Sequence, residues 1–368
     1  MSKVIISDIQ NNEIYEIIKN VFDVFGVAEK VKDKKVLVKP NLLGPFPPER
    51  GVTTDPRIIS AIVKELQRYS PKDIVVGDNS GSIHFDPLKI AKITGIFDAS
   101  GGCYSNISKE VVEVKVESKF IEELFISRIV KEADYIINVP KFKTHSLTTI
   151  TGAIKNMFGI IPGGKKAKLH TFARSIKEFA ELLVDIYQIR VPDLNIMDAI
   201  IGMEGIGPTN GKIRIINKVI SSDNGISLDS VMAAMMGLKP DTIELLQIAK
   251  KRNLGKIDIS NIIIDGELEV ISGFRTPNNG FLQRIRKKMI PHMFGFAAVL
   301  PIVNHNKCKI CKKCIEVCPV FAMNLTNKFP EADRKKCISC FCCDEHCPYG
   351  AIILPSWPQD FYNRLRGK

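Results

Sequence analysis

Along residues 1 to about 275, short β-branched runs alternate with amphipathic stretches. The strand pattern falls on Val4–Ile6, Lys35–Val38, Ile74–Val76, Val111–Val116, Tyr135–Val139, Asn195–Met197, Ile213–Ser221 and Asn261–Ile264. Helical spacing falls on Asn12–Phe25, Pro56–Gln67, Arg174–Tyr187, Ser227–Met236 and Asp241–Lys250. The second of these has a clear start. Asp55 supplies an acceptor for free N–H groups, and Pro56 sits where no N–H is needed. Ile58, Ile59, Ile62, Val63 and Leu66 then follow one face. Such alternation predicts an α/β domain built on a large mixed, mostly parallel sheet with helices. Val111–Val116 alternates apolar with charged residues, the pattern of an antiparallel edge strand or hairpin.

The pattern changes after residue 275. Pro277-Asn278-Asn279-Gly280 opens a linker over 276–304, a cysteine-rich segment covers 305–354, and a polar tail covers 355–368. Within that segment, Cys308–Met323 repeats as Cys337–Ile352. Each half reads Cys-x2-Cys-x2-Cys-x3-Cys-Pro. This is the ligand run of two-cluster bacterial ferredoxins, in which the fourth cysteine serves the other cluster. The expectation is a small C-terminal α+β ferredoxin-like domain carrying two [4Fe–4S] clusters. One takes Cys308, Cys311, Cys314 and Cys347; the other takes Cys337, Cys340, Cys343 and Cys318. Zinc ribbons use paired Cys-x2-Cys knuckles across a longer loop, which this run does not match. Cys342 reads as a bystander thiol beside Cys343, His346 as a surface histidine, and Cys103 as a buried or incidental thiol.

Cysteine usage and charge narrow the setting. Nine of the ten cysteines lie after residue 307, unlike a secreted disulfide scaffold, and no signal peptide pattern opens the chain. The expected location is cytoplasmic. The formal charge of +12 falls to roughly +8 if two clusters each net about −2 with their thiolates. A basic surface suits an acidic redox partner protein, an anionic small-molecule substrate or nucleic acid. Nucleic acid is disfavoured, since aromatic content is 7% and no recognised motif occurs. No apolar run is long enough for a transmembrane segment. Residues 284–303, basic and then apolar, have the composition of a membrane-surface helix, though an apolar linker packed between domains is preferred.

Several polar motifs stand where strands end: Lys39-Pro40-Asn41, Gly77-Asp78, Pro140-Lys141 and Asp198. In an open parallel sheet, ligands bind beyond the carboxyl ends of the strands. Lys39, Asn41, Asp78, Asn138, Lys141, Lys143 and His145 are therefore expected around one crevice, made basic by Lys39, Lys141, Lys143 and Lys155. The glycine-rich stretch around Gly152, Gly159, Gly163 and Gly164, with Lys155, Lys165 and Lys166, reads as a mobile anion-binding lid. Neither a Walker P-loop nor a Gly-x-Gly-x2-Gly turn is present. His145 and His170 are candidate ligands or acid–base groups, with Asp78, Asp198 and Glu204 as carboxylate partners.

From about 35 to 275 the chain resembles a family known as domain of unknown function 362. The resemblance rests on Lys39-Pro40-Asn41-Leu42-Leu43, Thr54-Asp55-Pro56, Gly77-Asp78-Asn79-Ser80-Gly81, Asn138 to His145 and Thr151-Gly152-Ala153-Ile154-Lys155-Asn156. It continues through Asp198 to Gly205 and Gly207 to Gly211. It implies an iron–sulfur protein in which such a domain is fused to a ferredoxin module, but no settled chemistry. The first reading is an iron–sulfur oxidoreductase. In it His145, Lys141 and Lys143 act on substrate, and Lys39, Asn41, Asp78, Asn138, Lys155 and Glu204 bind it. The second is a non-catalytic electron carrier whose α/β domain docks a partner. A deep pocket rather than a flat surface separates the two.

Overall fold

The computed structural model describes residues 2–9, 13–81, 86–173, 175–277 and 299–355. The strands, in chain order, are β1 (Lys3–Asp8), β2 (Lys35–Lys39), β3 (Asp73–Val76), β4 (Val111–Lys115), β5 (Glu123–Ser127), β6 (Tyr135–Asn138), β7 (Lys141–His145), β8 (Thr149–Ile150), β9 (Leu194–Glu204), β10 (Lys212–Ser222) and β11 (Ile263–Asp265). Nine of them form one sheet in the order β11-β1-β10-β9-β6-β2-β3, with β7 pairing β8 and β9. Parallel pairings predominate, and β1, β9 and β10 add an antiparallel block. β4 and β5 form a separate antiparallel hairpin, as the alternation of Val111–Val116 predicts.

The sheet is covered on both faces, and strand alternation divides its side chains between two cores. Leu37 joins one core while Val36 and Val38 join the other; Ile136 is likewise separated from Tyr135 and Ile137. The helix Pro56–Gln67 starts as expected, with the Asp55 side chain accepting from the Arg57 N–H. It buries Ile58, Ile59, Ile62, Val63 and Leu66 against the second core. Each such side chain contributes about 1.5–3 kcal/mol relative to exposure.

Two expectations change here. The strand expected at Asn195–Met197 runs eleven residues as β9, because it pairs first with β6 and then with β7. Lys141–His145, expected as loop after a strand, is itself the fully buried strand β7. Its polar side chains find buried partners, described below, so the usual rule against charged central strands does not apply. The helix expected at Arg174–Tyr187 begins at Ile176, capped by Ser175, and Arg174 lies outside the described residues. So do Asn12 and 278–298, which hold most of the expected linker and membrane-surface stretch.

The small C-terminal unit contains β12 (Ile302–Val303), β13 (Met323–Thr326), β14 (Phe329–Ala332) and β15 (Ile352–Ile353). β12 pairs β15 and β13 pairs β14, both antiparallel. Short helices span Lys313–Glu316 and Cys342–Glu345. The sequence repeat is also a conformational one. Ile310 and Lys312 hold left-handed φ of 52° and 60°, and their repeat counterparts Ser339 and Phe341 hold 55° and 62°. Non-glycine residues adopt this region at a cost, and such strain concentrates at functional loops.

Candidate functional site

Each thiol quartet lines its own cavity in the C-terminal unit. Cys308, Cys311, Cys314 and Cys347 surround a space of about 340 Å³ with Lys309, Lys312, Lys313 and Tyr349. Cys318, Cys337, Cys340 and Cys343 surround one of about 330 Å³. These are the interleaved sets expected from the repeat. Backbone N–H groups turn toward the sulfurs: Ile310 N to Cys308 Sγ at 3.4 Å, Ala322 N to Cys318 Sγ at 3.1 Å and Ala351 N to Cys347 Sγ at 3.2 Å. Burial, followed by the neighbouring sulfurs Cys347, Cys311 and Cys308, pushes the Cys314 thiol up to about 12. Burial likewise raises Cys343 well above the usual thiol range. Among the described residues, no three His, Cys, Asp or Glu side chains converge closely enough to hold a single metal ion. Four sulfurs each 2.3 Å from one zinc would lie about 3.8 Å apart. Four thiols lining each cavity, three of them in all accepting from backbone N–H groups, form a donor set that would suit an iron–sulfur cluster.

The helix Cys342–Glu345 has a second role. Cys342, Glu345 and His346 also line a larger space, of about 700 Å³, between the C-terminal unit and the ends of β2, β3 and β7. Cys342 therefore borders both this crevice and the second thiol cavity. The units are joined around it. His145 Nε2 stands 3.0 Å from Glu345 Oε1, Arg50 Nη1 donates to Pro348 O at 3.2 Å, and Asn210 bonds Asp344. Burial, against the hydrogen bond from Asn210, pushes the Asp344 carboxyl up to about 7.

Four of the expected residues line the crevice: Asn41, Asp78, Lys143 and Lys155. Lys143 donates to Asn41 Oδ1 at 2.8 Å and Val52 O at 2.7 Å. Burial, then repulsion from Lys155, holds its amine well below the usual lysine range. Asp78 accepts from Leu42 N at 2.8 Å and stands 2.7 Å from Lys39 Nζ.

Five expected site residues lie outside that lining. Lys39 is fully buried behind Asp78. Lys141, expected to be catalytic, is paired with Asp198 at 2.6 Å, both ends buried, so it braces β7 against β9. Asn138 donates to Asn195 Oδ1 at 2.9 Å and accepts from Asn156 Nδ2 at 2.7 Å, which ties β6 to the crevice wall. Glu204 accepts the Arg275 N–H at 3.2 Å. His145 sits one layer back, facing Glu345. Its Nδ1 accepts from Leu147 N at 3.0 Å and Thr148 N at 3.3 Å, so its ring proton lies on Nε2. Burial, reinforced by Lys155, lowers its pKa to about 4. Burial alone would raise the Glu345 carboxyl, but Lys155 and His145 outweigh it and hold that group below the usual carboxylate range. The pair is thus a neutral imidazole whose Nε2 stands 3.0 Å from a carboxylate oxygen, a close polar contact without hydrogen-bond alignment.

Two expectations around the crevice are corrected. His346 is buried, 7% exposed, with Nδ1 2.8 Å from Cys342 O. Gly81 makes room for it, since a Cβ there would lie 2.5 Å from Nε2. The stretch read as a lid is a set of packed helices, Gly152–Asn156, Met157–Ile160 and Gly163–Leu169, that form one wall. Asn79 donates to Gly159 O at 2.9 Å and accepts Lys166 Nζ through its backbone carbonyl. Lys166 and His170 complete that wall. Burial lowers Lys166 to about 7 and His170 to about 4.

The family model described as "Domain of unknown function (DUF362)" matches residues 36–234, which hold every crevice residue outside the C-terminal unit. The chain belongs to the DUF362 family. Thylakoid-associated protein sll1697 of Synechocystis sp. is 31% identical over 242 residues, covering 62% of this chain and 71% of that protein. Among solved structures, the lactate racemase apoprotein from Thermoanaerobacterium thermosaccharolyticum has a TM-score of 0.40 and 11% identity. That likeness covers 63% of this chain and 57% of the racemase. Among the described residues of this DUF362 protein, no helix is long and apolar enough to cross a membrane.

Proposed function

We propose that this DUF362 protein is an iron–sulfur electron-transfer protein, with two [4Fe–4S] clusters in a ferredoxin-like C-terminal module, acting on an anionic substrate in the crevice. The observation that carries the reading is the position of Cys342, shared between the second thiol cavity and the crevice. Cys308, Cys311, Cys314 and Cys347 would hold one cluster, and Cys337, Cys340, Cys343 and Cys318 the other. When bound, each such cluster supplies or takes one electron at a time. The residues around the crevice supply what a cluster does not. Lys155 and Lys166 attract and orient an anion. Lys143, whose burial favours the neutral amine, is placed to give or take a proton there. His145 fixes Glu345, and with it the helix that carries Cys342 and Cys343.

A concave crevice between two units supports a small-molecule substrate over a flat docking face. The first thiol cavity shares no lining residue with the crevice. Cys311 is exposed, and exposed Lys307, Lys309 and Lys312 surround it, a charge pattern suited to an acidic redox partner. The test is anaerobic purification with iron, zinc and acid-labile sulfide analysis. The expected result is about eight iron and eight sulfide per chain, with paramagnetic signals on reduction. Zinc in place of iron would refute it.

A further inference from the structure

Three polar groups at the crevice have no partner among the described residues. Thr151 Oγ1 and His346 Nε2 are buried without a hydrogen bond. Lys155 Nζ makes no hydrogen bond or ion pair, although it faces the crevice and electrostatically influences Lys143, His145, Lys166, His170 and Glu345. Lys155 is half-buried, so its ammonium still meets solvent, but a buried polar atom left unsatisfied costs about 1–3 kcal/mol, so Thr151 Oγ1 and His346 Nε2 beside one cavity indicate that something else completes them.

Their chemistry specifies what that is. Lys155 only donates, and Thr151, the cap residue directly before the helix Gly152–Asn156, either donates or accepts. Together they suit an oxyanion. His346 is different. Its Nδ1 faces the Cys342 carbonyl, which only accepts, so Nδ1 carries the ring proton. In that tautomer Nε2 is an acceptor, and, buried without a partner, it is completed by a donor from the ligand. Across the crevice, Leu43, Phe158, Pro208 and Val317 offer apolar surface. We infer that the crevice binds a small oxyanion that also carries an O–H group, with its charged head on Lys155 and Thr151, its O–H on His346 Nε2, and room for a short apolar body. A hydroxylated carboxylate and a singly protonated phosphate share this chemistry. The inference rests on the proposed function for its meaning, but binding does not require electron transfer.

The test is isothermal titration calorimetry on the anaerobically purified full chain, with acetate, glycolate and inorganic phosphate as probes. Glycolate is expected to bind at least tenfold more tightly than acetate, because only glycolate donates to His346. Lys155→Met is expected to weaken both carboxylates about tenfold or more. His346→Phe should abolish the preference for glycolate while leaving acetate within about threefold. Tight phosphate binding with weak glycolate binding would assign the site to phosphate; the reverse would assign it to a hydroxy acid. Equal affinities for acetate and glycolate, no binding of any probe, or a Lys155→Met protein indistinguishable from the parent would each overturn the inference. Iron and sulfide content and thermal melting, measured on the same samples, identify a variant that has lost its fold. They also separate failure here from failure of the redox reading, since a cluster-free chain that binds glycolate sinks only the latter.

Discussion

Lys141 and Asp198 offer a direct test of bracing against catalysis. Their charged ends lie 2.6 Å apart, with side-chain exposures of 1% and 0%. Replacing Lys141 by Met leaves a buried carboxylate without its counter-charge, which typically costs about 3–5 kcal/mol. Asp198 would still accept from Asp55 N at 2.7 Å and Ile200 N at 3.0 Å, which places the expected loss near the lower end, about 3 kcal/mol. Asp198→Asn alone strands the ammonium and should cost a similar amount. The double variant Lys141→Met/Asp198→Asn removes both charges and should cost at least about 2 kcal/mol less than the sum of the singles. Urea melts followed by circular dichroism measure this. With a slope near 3 kcal/mol per molar, each single lowers the midpoint by about 1 M. The folded Lys141→Met protein should keep its anion affinity, because this lysine does not line the crevice. Additive singles, or a stable Lys141→Met protein that has lost ligand affinity, would refute the bracing role and restore a direct one.

Gly159→Ala should destabilise the chain by about 2 kcal/mol or more and loosen anion binding, because a Cβ there overlaps Asp78 and lies 2.5 Å from Lys39 Nζ; urea melts and calorimetry read both effects. Cys337→Ala should halve the iron content, whereas Cys342→Ala, outside both quartets, should leave it unchanged; loss of iron in the latter would make Cys342 a ligand. Anion affinity should fall as pH rises through about 7. Burial, opposed by attraction to Asp78 and Glu345 and reinforced by repulsion from Lys39 and Lys155, lowers Lys166 to about 7. It is therefore charged below that pH and neutral above it, and an anion favours the charged form. Affinity should drop by up to about tenfold per pH unit above 7, and Lys166→Met should flatten the profile; a profile unchanged by Lys166→Met would refute the assignment.

The sheet was largely legible because its central strands are continuous apolar runs, and Val36, Leu37 and Val38 show why: each faces one core or the other. That each set of four cysteines lines one cavity was legible because repeat and spacing act within a few residues. β7 was not. Lys-Phe-Lys-Thr-His has no strand signature, and the groups that make its burial tolerable lie far away in sequence: Asp198 for Lys141, Asn41 and Val52 for Lys143, Glu345 for His145. The same reason hid His346 and Thr151. Nothing next to them signals burial. Gly81 admits the histidine, and Gly152, φ 54°, turns the chain directly after Thr151.

What the sequence could not convey is that the crevice is shared. Beyond the ends of β2, β3 and β7, the α/β domain supplies cations and amides, but the floor beneath them belongs to the helix Cys342–Glu345. That helix starts at a residue bordering the second thiol cavity and ends at Glu345, held against His145. A change on β7 therefore reaches the cysteine unit through one contact. His145→Ala removes the Nε2–H that stands 3.0 Å from Glu345 Oε1 and leaves that buried carboxylate, opposite Lys155, without this polar contact. The expected outcome is a local loosening of 342–346, seen as faster amide exchange there than in β2 or β6, with a weaker crevice and intact iron in the quartet around Cys308. Unchanged exchange across 342–346 would mean that the helix is held by its own unit alone, and that the link between β7 and the cysteine unit is incidental.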